Sequence, residues 1–205
     1  MSSSTARTIS DFALPRLNIG AGKTYIPGFT NIDIAQVADI TMDLGAERLP
    51  FEDNSVELIF SYHCLEHVPD LLFCLGEMNR VLKHNGLLLL GVPYLTLTQH
   101  NLVNPYHLHN FNEYFFDLFD PDVLLGSAVE EGIVAFRSHW HRFHYMPPFS
   151  KLPFKALARR HLMNVVNKID FGVYALKNDE PIVRFNESAL FDECCRSRVR
   201  YAAEA

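Results

Sequence analysis

Two glycines and a carboxylate near the start of the chain form the pattern with the clearest chemical meaning. Residues 17–22 read Leu-Asn-Ile-Gly-Ala-Gly, and Asp33 ends the next apolar run. Glycines lack a Cβ atom, so the backbone can approach a ligand closely at a tight turn. A carboxylate after the following strand can accept hydrogen bonds from ribose hydroxyls. The pattern therefore predicts a nucleoside site in a doubly wound sheet.

Further polar and aromatic side chains follow the next two apolar runs. Asp43 and Leu44 close the third run, and Ser61, Tyr62 and His63 close the fourth. Because the carboxyl ends of parallel strands meet the ligand crevice, we expect one of the last three residues to lie near the reacting group.

The chain contains ten histidines, and four of them form two His-x-His pairs. The pairs occupy positions 107 and 109 and positions 139 and 141, where an extended segment would place both rings of a pair on one side. Imidazole is a frequent metal ligand, but neither pair has a cysteine nearby. We therefore predict no metal site.

Hydrophobic periodicity predicts the elements that position these residues. The clearest helix covers residues 71–83, with apolar side chains at helical spacing, Asp70 at its start and Gly86 beyond its end. The expected strands are residues 14–19, 30–34, 39–44, 56–61 and 87–92. Beyond residue 93 we expect a loop over 94–109, helices over 112–119, 121–131 and 155–168, a strand over 132–145, and a hairpin of 171–176 with 182–185.

The connections in the N-terminal half are too short for ordinary crossovers. About nine residues separate Gly22 from the second strand, and residues 35–38 separate the second strand from the third. Parallel crossovers usually contain a helix. One sheet face must therefore be covered by C-terminal segments, such as residues 111–119 and 156–166, or by a second subunit. A two-fold homodimer formed through this half is our expectation.

Composition limits the class of protein. With 205 residues and 48% hydrophobic side chains, the chain can form one domain over residues 14–205, after a flexible tail over residues 1–13. No apolar run reaches the roughly 18 residues that span a membrane, the start is not a secretory signal, and the four cysteines form no CxxC pair. These features predict a cytoplasmic protein with reduced thiols.

The net charge of −6 argues against a nucleic-acid partner, because such a chain repels phosphate. One basic segment, residues 151–168, runs against this trend. It is expected to be either a solvated helix face or a phosphate-binding surface.

Residues 16–95 resemble the class I S-adenosylmethionine (SAM) methyltransferases, in particular their small type 11 branch. The resemblance rests on the order and spacing of several short motifs rather than on any one of them. These motifs are LNIGAG at 17–22, NIDI at 31–34, MDL at 42–44, LPFEDNSVE at 49–57, CLEHV at 64–68 and RVLKHNG at 80–86.

The resemblance implies an α/β, Rossmann-like doubly wound fold with a mostly parallel sheet, here with abbreviated N-terminal helices. It implies SAM as cofactor and methyl transfer to an oxygen, nitrogen or carbon atom of a small molecule. Asp33 takes the place of the family's ribose-binding acid, and Asn18 stands where many members carry an acid, without supplying charge. The expected cofactor contacts are Asn18, Gly20, Ala21, Gly22, Asp33, Ile34, Asp43, Leu44 and Ser61.

Two histidines are candidates for removing a proton from the methyl acceptor. His107 follows the fifth strand, where this branch tends to place acceptor contacts, and histidine titrates in a suitable range. His67 is a general base or a structural residue of its loop. Alignment of the reactants contributes most of the rate in such a displacement, so a dedicated base is not required.

Three other functions compete with this interpretation. A nicotinamide-dependent oxidoreductase would need a third glycine where Tyr25 stands. A methyltransferase acting on RNA or protein would use the basic segment. A catalytically silent SAM-fold scaffold would accommodate Asn18 and the abbreviated N-terminal half.

Overall fold

The computed structural model describes residues 7–13, 15–123 and 134–201. Within these residues, five strands precede the first α-helix, three α-helices lie among the later strands, and short 3-10 or π turns separate some of the elements. In chain order they are β1 Leu17–Ile19, β2 Thr24–Tyr25, β3 Thr30–Asp33, β4 Ile40–Thr41, β5 Val56–Tyr62, α1 Leu71–Val81, β6 Leu82–Pro93, β7 Phe136–Tyr145, α2 Lys155–His161, β8 Val166–Ala175, α3 Glu187–Arg196 and β9 Val199–Arg200.

Seven of these strands form one sheet in the order β4-β3-β1-β5-β6-β8-β7. The first five in that order are parallel, and β8 lies antiparallel between β6 and β7. The chain moves outward from β1 to β3 and β4, then returns to β5 on the other side of β1. The strand order therefore reverses between β1 and β5, where doubly wound sheets bind ligands. The predicted mostly parallel, doubly wound fold is confirmed.

Alternating side chains of the central strands pack on opposite faces of the sheet, as the two-residue period of a strand requires. Leu88 and Leu90 of β6 belong to the core beneath α1, whereas Leu87 and Leu89 belong to the core beneath α3. All four leucines are completely buried. Burying each stabilises the fold by about 1.5–3 kcal/mol relative to exposure.

The short connections are confirmed, because no helix lies between β1 and β4. The face that they leave open is covered by α3, through Leu190, Phe191 and Cys194. The proposed covers were wrong, since Phe111, Phe116 and the partly buried Ala158 pack on the opposite face with α1. Because α3 buries this face within one chain, the short crossovers no longer give a reason to expect a homodimer.

The expected hairpin of residues 171–176 with 182–185 is wrong, and helix α3 follows it at Glu187–Arg196. Residues 171–175 instead belong to β8, which pairs with β6 and β7. The side chain of Asn186 caps α3 by accepting a hydrogen bond from the amide of Ala189 at 3.1 Å. The sequence carries recognisable helix signals here that were not used in predicting the hairpin. They are Asn186 at the start, Glu187 in the first turn and Arg196 in the last turn.

The expected flexible tail is wrong for residues 7–13, the part that the structure describes. Phe12 is only 3% exposed and belongs to the core beneath α3. The amide of Ile9 donates to Glu193 Oε2 at 3.1 Å, and the amide of Ala13 donates to Glu57 Oε2 at 3.0 Å. This segment extends the cover that α3 provides.

Several predicted boundaries also shift. Strand β6 begins at Leu82, five residues early, because a bulge between the pairs Val56–Leu82 and Leu58–Leu87 contains Asn85 at a φ of 62°. The third strand, predicted over 39–44, shortens to β4. The helix predicted over 112–119 is only a 3-10 turn over Phe115–Phe119, and the helix predicted over 155–168 shortens to α2. The expected helix over 121–131 lies largely outside the described residues.

Candidate functional site

A cavity of about 380 Å³ opens at the carboxyl ends of β1 and β3, beside the point where the strand order reverses. Its volume lies within the usual range for a small-molecule site. The wall includes three glycines, an acidic group from each of two turns, and the segment after β5. The lining residues are Gly20, Gly22, Asp33, Ile34, Met42, Asp43, Leu44, Gly45, His63, Cys64, His67, Val68 and Pro69.

Backbone hydrogen bonds fix the glycine turn against β3. The amides of Gly20 and Ala21 donate to the Ile32 carbonyl at 2.8 and 3.1 Å. Gly20 and Gly22 have φ values of 73° and 60°, which residues other than glycine rarely adopt. The next amide, that of Gly22, donates to Asp33 Oδ2 at 2.8 Å.

The two glycines serve different purposes. A Cβ atom built on Gly20 would lie 2.2 Å from Cys64 Cβ and 2.3 Å from Cys64 Sγ, so this glycine permits close packing of two loops. A Cβ on Gly22 would meet nothing within 4 Å. Gly22 therefore faces the open cavity, whereas the steric need at Gly20 comes from the protein and not from a ligand.

Asp33 is held in place by two backbone donors. Its Oδ1 accepts from the Ala35 amide at 2.9 Å, and its Oδ2 accepts from Gly22. Each carboxylate oxygen can accept more than one hydrogen bond, so Asp33 can still receive a ligand hydroxyl. Ile34 is 72% exposed and forms the apolar rim next to it.

Asp43 and Leu44 line the opposite part of the cavity. Asp43 Oδ1 accepts from the Gly45 amide at 2.8 Å, so this carboxylate shapes its own turn as well as the wall. Leu44 and the neighbouring Met42 add apolar surface. The pair can offer one acceptor and one apolar contact to a flat ring.

Three of the expected contacts are not part of the wall. The Asn18 side chain is 2% exposed, and its amide nitrogen donates to Asn31 Oδ1 at 2.8 Å. Ala21 is 3% exposed, and its amide is bonded to β3. Ser61 is completely buried, and the wall after β5 begins only at His63.

Five residues of the wall had no predicted role in the site: Met42, Gly45, Cys64, Val68 and Pro69. Burial raises the pKa of the Cys64 thiol well above its ordinary range. The thiol therefore stays protonated near neutral pH and is a weak nucleophile. Its packing against Gly20 is the role that the geometry supports.

The segment after β5 and the loop after β6 bring an acid and two histidines together. His67 and His107 have ring centroids 4.7 Å apart in an edge-to-face contact. Glu66 is 1% exposed, and its Oε1 lies 4.0 Å from His67 Nε2 and 3.2 Å from His63 Nδ1. The Glu66 carbonyl accepts from the Leu108 amide at 2.7 Å, which ties the two segments together.

In each His-x-His segment the two rings contact different partners. His109 Nε2 contacts the Val68 carbonyl at 2.7 Å. His139 and His141 lie on β7, and burial lowers the pKa of both rings. Two loops distant in sequence, rather than a His-x-His segment, bring His67 and His107 together.

The basic segment is less basic at its surface than its sequence indicates. Arg159 is buried and contacts Glu113 and the hydroxyl of Tyr94. Lys168 donates to the buried Asp170 at 2.9 Å. These two cations are neutralised within the protein, which weakens the case for a phosphate-binding surface.

A larger cavity, of about 690 Å³, lies at the opposite edge of the sheet beside the end of β8. It is lined by Arg137, His139 and Lys177 and contains no residue of the glycine turn. Ligands of doubly wound sheets bind at the carboxyl ends of the parallel strands, so the smaller cavity is the candidate site. None of the helices within the described residues is long and apolar enough to cross a membrane.

The part of the chain that forms most of the cavity wall is similar in sequence to known methyltransferases. Residues 30–90 match the family described as a methyltransferase domain, of type 11. The demethylmenaquinone methyltransferase of Staphylococcus aureus (strain JH9) is 38% identical over 78 residues, which are 38% of this chain and 28% of the relative. The chain thus matches little more than a quarter of that protein's length.

Structural comparison supports the same fold. A SAM-dependent methyltransferase from Archaeoglobus fulgidus superposes with a TM-score of 0.57 at 13% identity, over 81% of this chain and 89% of that one. The [4+2]-cyclase SpnF superposes with a TM-score of 0.52 at 14% identity, over 84% and 79% of the two chains. The resemblance to class I, type 11-like methyltransferases is confirmed.

The family match and the fold imply SAM as the cofactor. The residues present fit this molecule. Gly22 leaves open space where a side chain would intrude, and Asp33 retains acceptor capacity at the same wall. Asp43 and Leu44 supply the acceptor and apolar surface that an adenine ring needs.

Proposed function

We propose that this chain, which carries a type 11-like methyltransferase domain in a class I fold, transfers a methyl group from SAM to a small-molecule acceptor. The observation that carries the proposal is one cavity at the reversal of strand order that joins Gly22, Asp33 and Asp43. Its position, its size and its acceptor groups all suit a nucleoside cofactor.

Each part of the wall has a distinct task in this proposal. Asp33 accepts the ribose hydroxyls, and Asp43 accepts from the exocyclic amine of adenine while Leu44 packs on the ring. Gly22 lets the backbone approach the methionine end. Bound SAM supplies an electrophilic methyl group on a sulfonium, and holding the acceptor in line with it accounts for most of the rate. Asn18 and Ser61 act indirectly, by supporting β1 and β5.

The segment after β5 forms the acceptor side of the cavity. His63 and His67 are on its wall, whereas His107 lies behind His67. If an imidazole takes the acceptor proton, the reacting atom is Nε2 of His67, because its Nδ1 contacts the Tyr106 carbonyl at 2.8 Å. His107 then supports that ring and is not itself in the wall.

A small acceptor suits the charge of the protein better than a nucleic acid does. Two cations of the basic segment, Arg159 and Lys168, are neutralised internally by Glu113 and Asp170. The name of the Staphylococcus aureus relative specifies demethylmenaquinone, a small molecule. A cytoplasmic location is part of the proposal and can be checked by cell fractionation.

The second candidate is a protein that binds SAM without transferring its methyl group. The observation in its favour is the similarity to the cyclase SpnF, which shows that this fold supports other functions. Asn18 in the place of an acid is compatible with this alternative.

Calorimetry with SAM and S-adenosylhomocysteine, followed by a radiolabelled methyl-transfer assay on an acceptor panel, tests the proposal. We expect binding of both nucleosides and turnover with at least one small acceptor. Binding without transfer to any acceptor, including RNA and protein fractions, would favour the silent alternative. No binding of either nucleoside would overturn both.

A further inference from the structure

We propose that Glu66, His67 and His107 form a binding site for a divalent transition-metal ion beside the candidate methyl-transfer cavity. One ligand atom from each residue lies within 4.8 Å of the others. His67 lines the cavity and also an adjoining depression with Asn104, Tyr106 and Leu108. The description of the neighbouring cavity as a methyl-transfer site rests on the proposed function, but the ability of the three residues to bind metal does not.

Hydrogen bonds prepare both rings to offer the same nitrogen. His67 Nδ1 contacts the Tyr106 carbonyl at 2.8 Å, an acceptor that requires this nitrogen to carry the proton. The lone pair of the neutral ring is then on Nε2. A backbone carbonyl on the second ring nitrogen is a common arrangement for a metal-binding histidine.

His107 has an equivalent partner in Asn101. Its Nδ1 lies 3.0 Å from Asn101 Oδ1. The orientation of that amide is set on its other side, where Asn101 Nδ2 donates to Asn110 Oδ1 at 2.9 Å. The oxygen therefore faces His107, whose Nδ1 must donate, and Nε2 is again the atom that can bind a metal.

The third ligand is a buried carboxylate that its surroundings satisfy only in part. Glu66 Oε1 contacts His63 Nδ1 at 3.2 Å, but Oε2 has no hydrogen-bond partner among the described residues. A buried carboxylate oxygen without a partner is costly. A cation bound to this carboxylate would offset part of that cost.

The donor set indicates the kind of ion. Two imidazoles and a carboxylate, with no thiolate, suit Zn²⁺, Fe²⁺, Co²⁺ or Ni²⁺ rather than Ca²⁺ or Mg²⁺. Bonds of about 2.0–2.2 Å place tetrahedral ligand atoms about 3.4 Å apart. The ligand atoms, which lie within 4.8 Å of one another, must therefore approach by up to about 1.4 Å on binding. The half-exposed His67 side chain has room for this movement.

Three protein ligands leave at least one coordination position open, as in catalytic rather than structural metal sites. An ion on the wall that the candidate cavity shares with the adjoining depression would occupy Nε2 of His67, so this nitrogen would not be available as a base in the metal-bound protein. The open coordination position could instead hold an acceptor through an oxygen atom. Because the ligands come from the segments after β5 and β6, the ion would also fix these two loops relative to each other.

Zinc titration of metal-stripped protein by calorimetry tests the site. We expect one Zn²⁺ per chain, with affinity at least tenfold weaker in each of His67→Ala, His107→Ala and Glu66→Gln. The double variant His139→Ala and His141→Ala removes as many histidines from β7 and is expected to bind like the wild type. Circular dichroism of every variant confirms that it is folded.

Two results would overturn the proposal. The first is a wild-type protein that binds no Zn²⁺ in this titration. The second is equal affinity in the wild type and the three ligand variants. SAM calorimetry on His107→Ala and Zn²⁺ calorimetry on Asp33→Ala separate this proposal from the proposed function, because each is expected to retain binding.

Discussion

Gly20 and Gly22 have similar backbone angles but different surroundings, and this difference can be measured. Gly22→Ala should cost about 1–2 kcal/mol of unfolding free energy, the price of a left-handed φ with a side chain. Gly20→Ala should cost more, because its methyl group would overlap Cys64. Urea denaturation of both variants gives the comparison.

The Cys64→Gly background supplies the control for this prediction. It removes the atoms that Gly20→Ala would meet, so the additional loss should disappear and leave a cost similar to that of Gly22→Ala. An equal cost of Gly20→Ala in both backgrounds would show that Cys64 does not set the requirement for glycine.

Asp33 connects the glycine turn to the proposed ribose contact. Asp33→Ala removes the acceptor of the Gly22 amide and should weaken SAM binding by about 1–3 kcal/mol, the usual cost of stranding polar groups. Calorimetry measures the affinity. Asp53→Ala, at an exposed carboxylate paired with Arg80, serves as control and should bind normally. Unchanged affinity in a folded Asp33→Ala would remove Asp33 from the site.

At the scale of elements, one buried carboxylate joins β8 to β7 and α3. Asp170 is fully buried and contacts His144, Lys168 and Arg142 at 2.5–3.0 Å, and Arg142 continues to Asp192 of α3. Burial acts to raise the pKa of Asp170. The hydrogen bonds from His144 and Lys168 lower it by more, so the pKa of Asp170 lies below its usual range. The charged form is thus favoured by folding.

This depressed pKa gives the stability a definite pH dependence. The stabilisation by Asp170 is present above its unfolded pKa of about 4 and is lost as the pH falls through the lower folded value. Asp170→Asn should therefore lower the free energy of unfolding by about 3–5 kcal/mol at pH 7. The difference in unfolding free energy between wild type and variant should shrink as the pH falls from about 5 to about 3. Denaturation curves at each pH test this. A gap independent of pH would exclude the charge as its source.

Helix α3 replaces the missing N-terminal helices, and Phe191 is its main contact with the sheet. The ring packs against Phe60, Tyr62 and Trp140 at centroid distances of 5.6–6.2 Å. Phe191→Ala should cost about 3–5 kcal/mol, as other buried aromatic truncations do. Ala189→Ser, on the exposed side of the same helix, should stay within about 0.5 kcal/mol of the wild type. Similar losses in both variants would contradict this packing role.

At the scale of the whole molecule, covering this sheet face changes the expectation for assembly. A homodimer was expected because the short crossovers left apolar surface, but α3 and residues 7–13 now bury it within one chain. We therefore expect a 23.4 kDa particle in light scattering over a concentration series. A particle of twice that mass would show that another surface associates.

The sequence by itself determined the parts that depend on local order. Glycine spacing, the acid after the next strand and the helical period from Leu71 predicted β1, β3, α1 and most of the cavity wall, because each signal lies within a few residues of the structure that it specifies. The cofactor follows from the same motifs.

Only the tertiary structure decided which distant segments meet. The contact between His67 and His107, the cover formed by α3 and the clash that requires Gly20 each join residues far apart in the chain. Local pattern carries no information about such pairs, because any of several loops could reach the same edge of the sheet. Packing of the complete chain selects one of them.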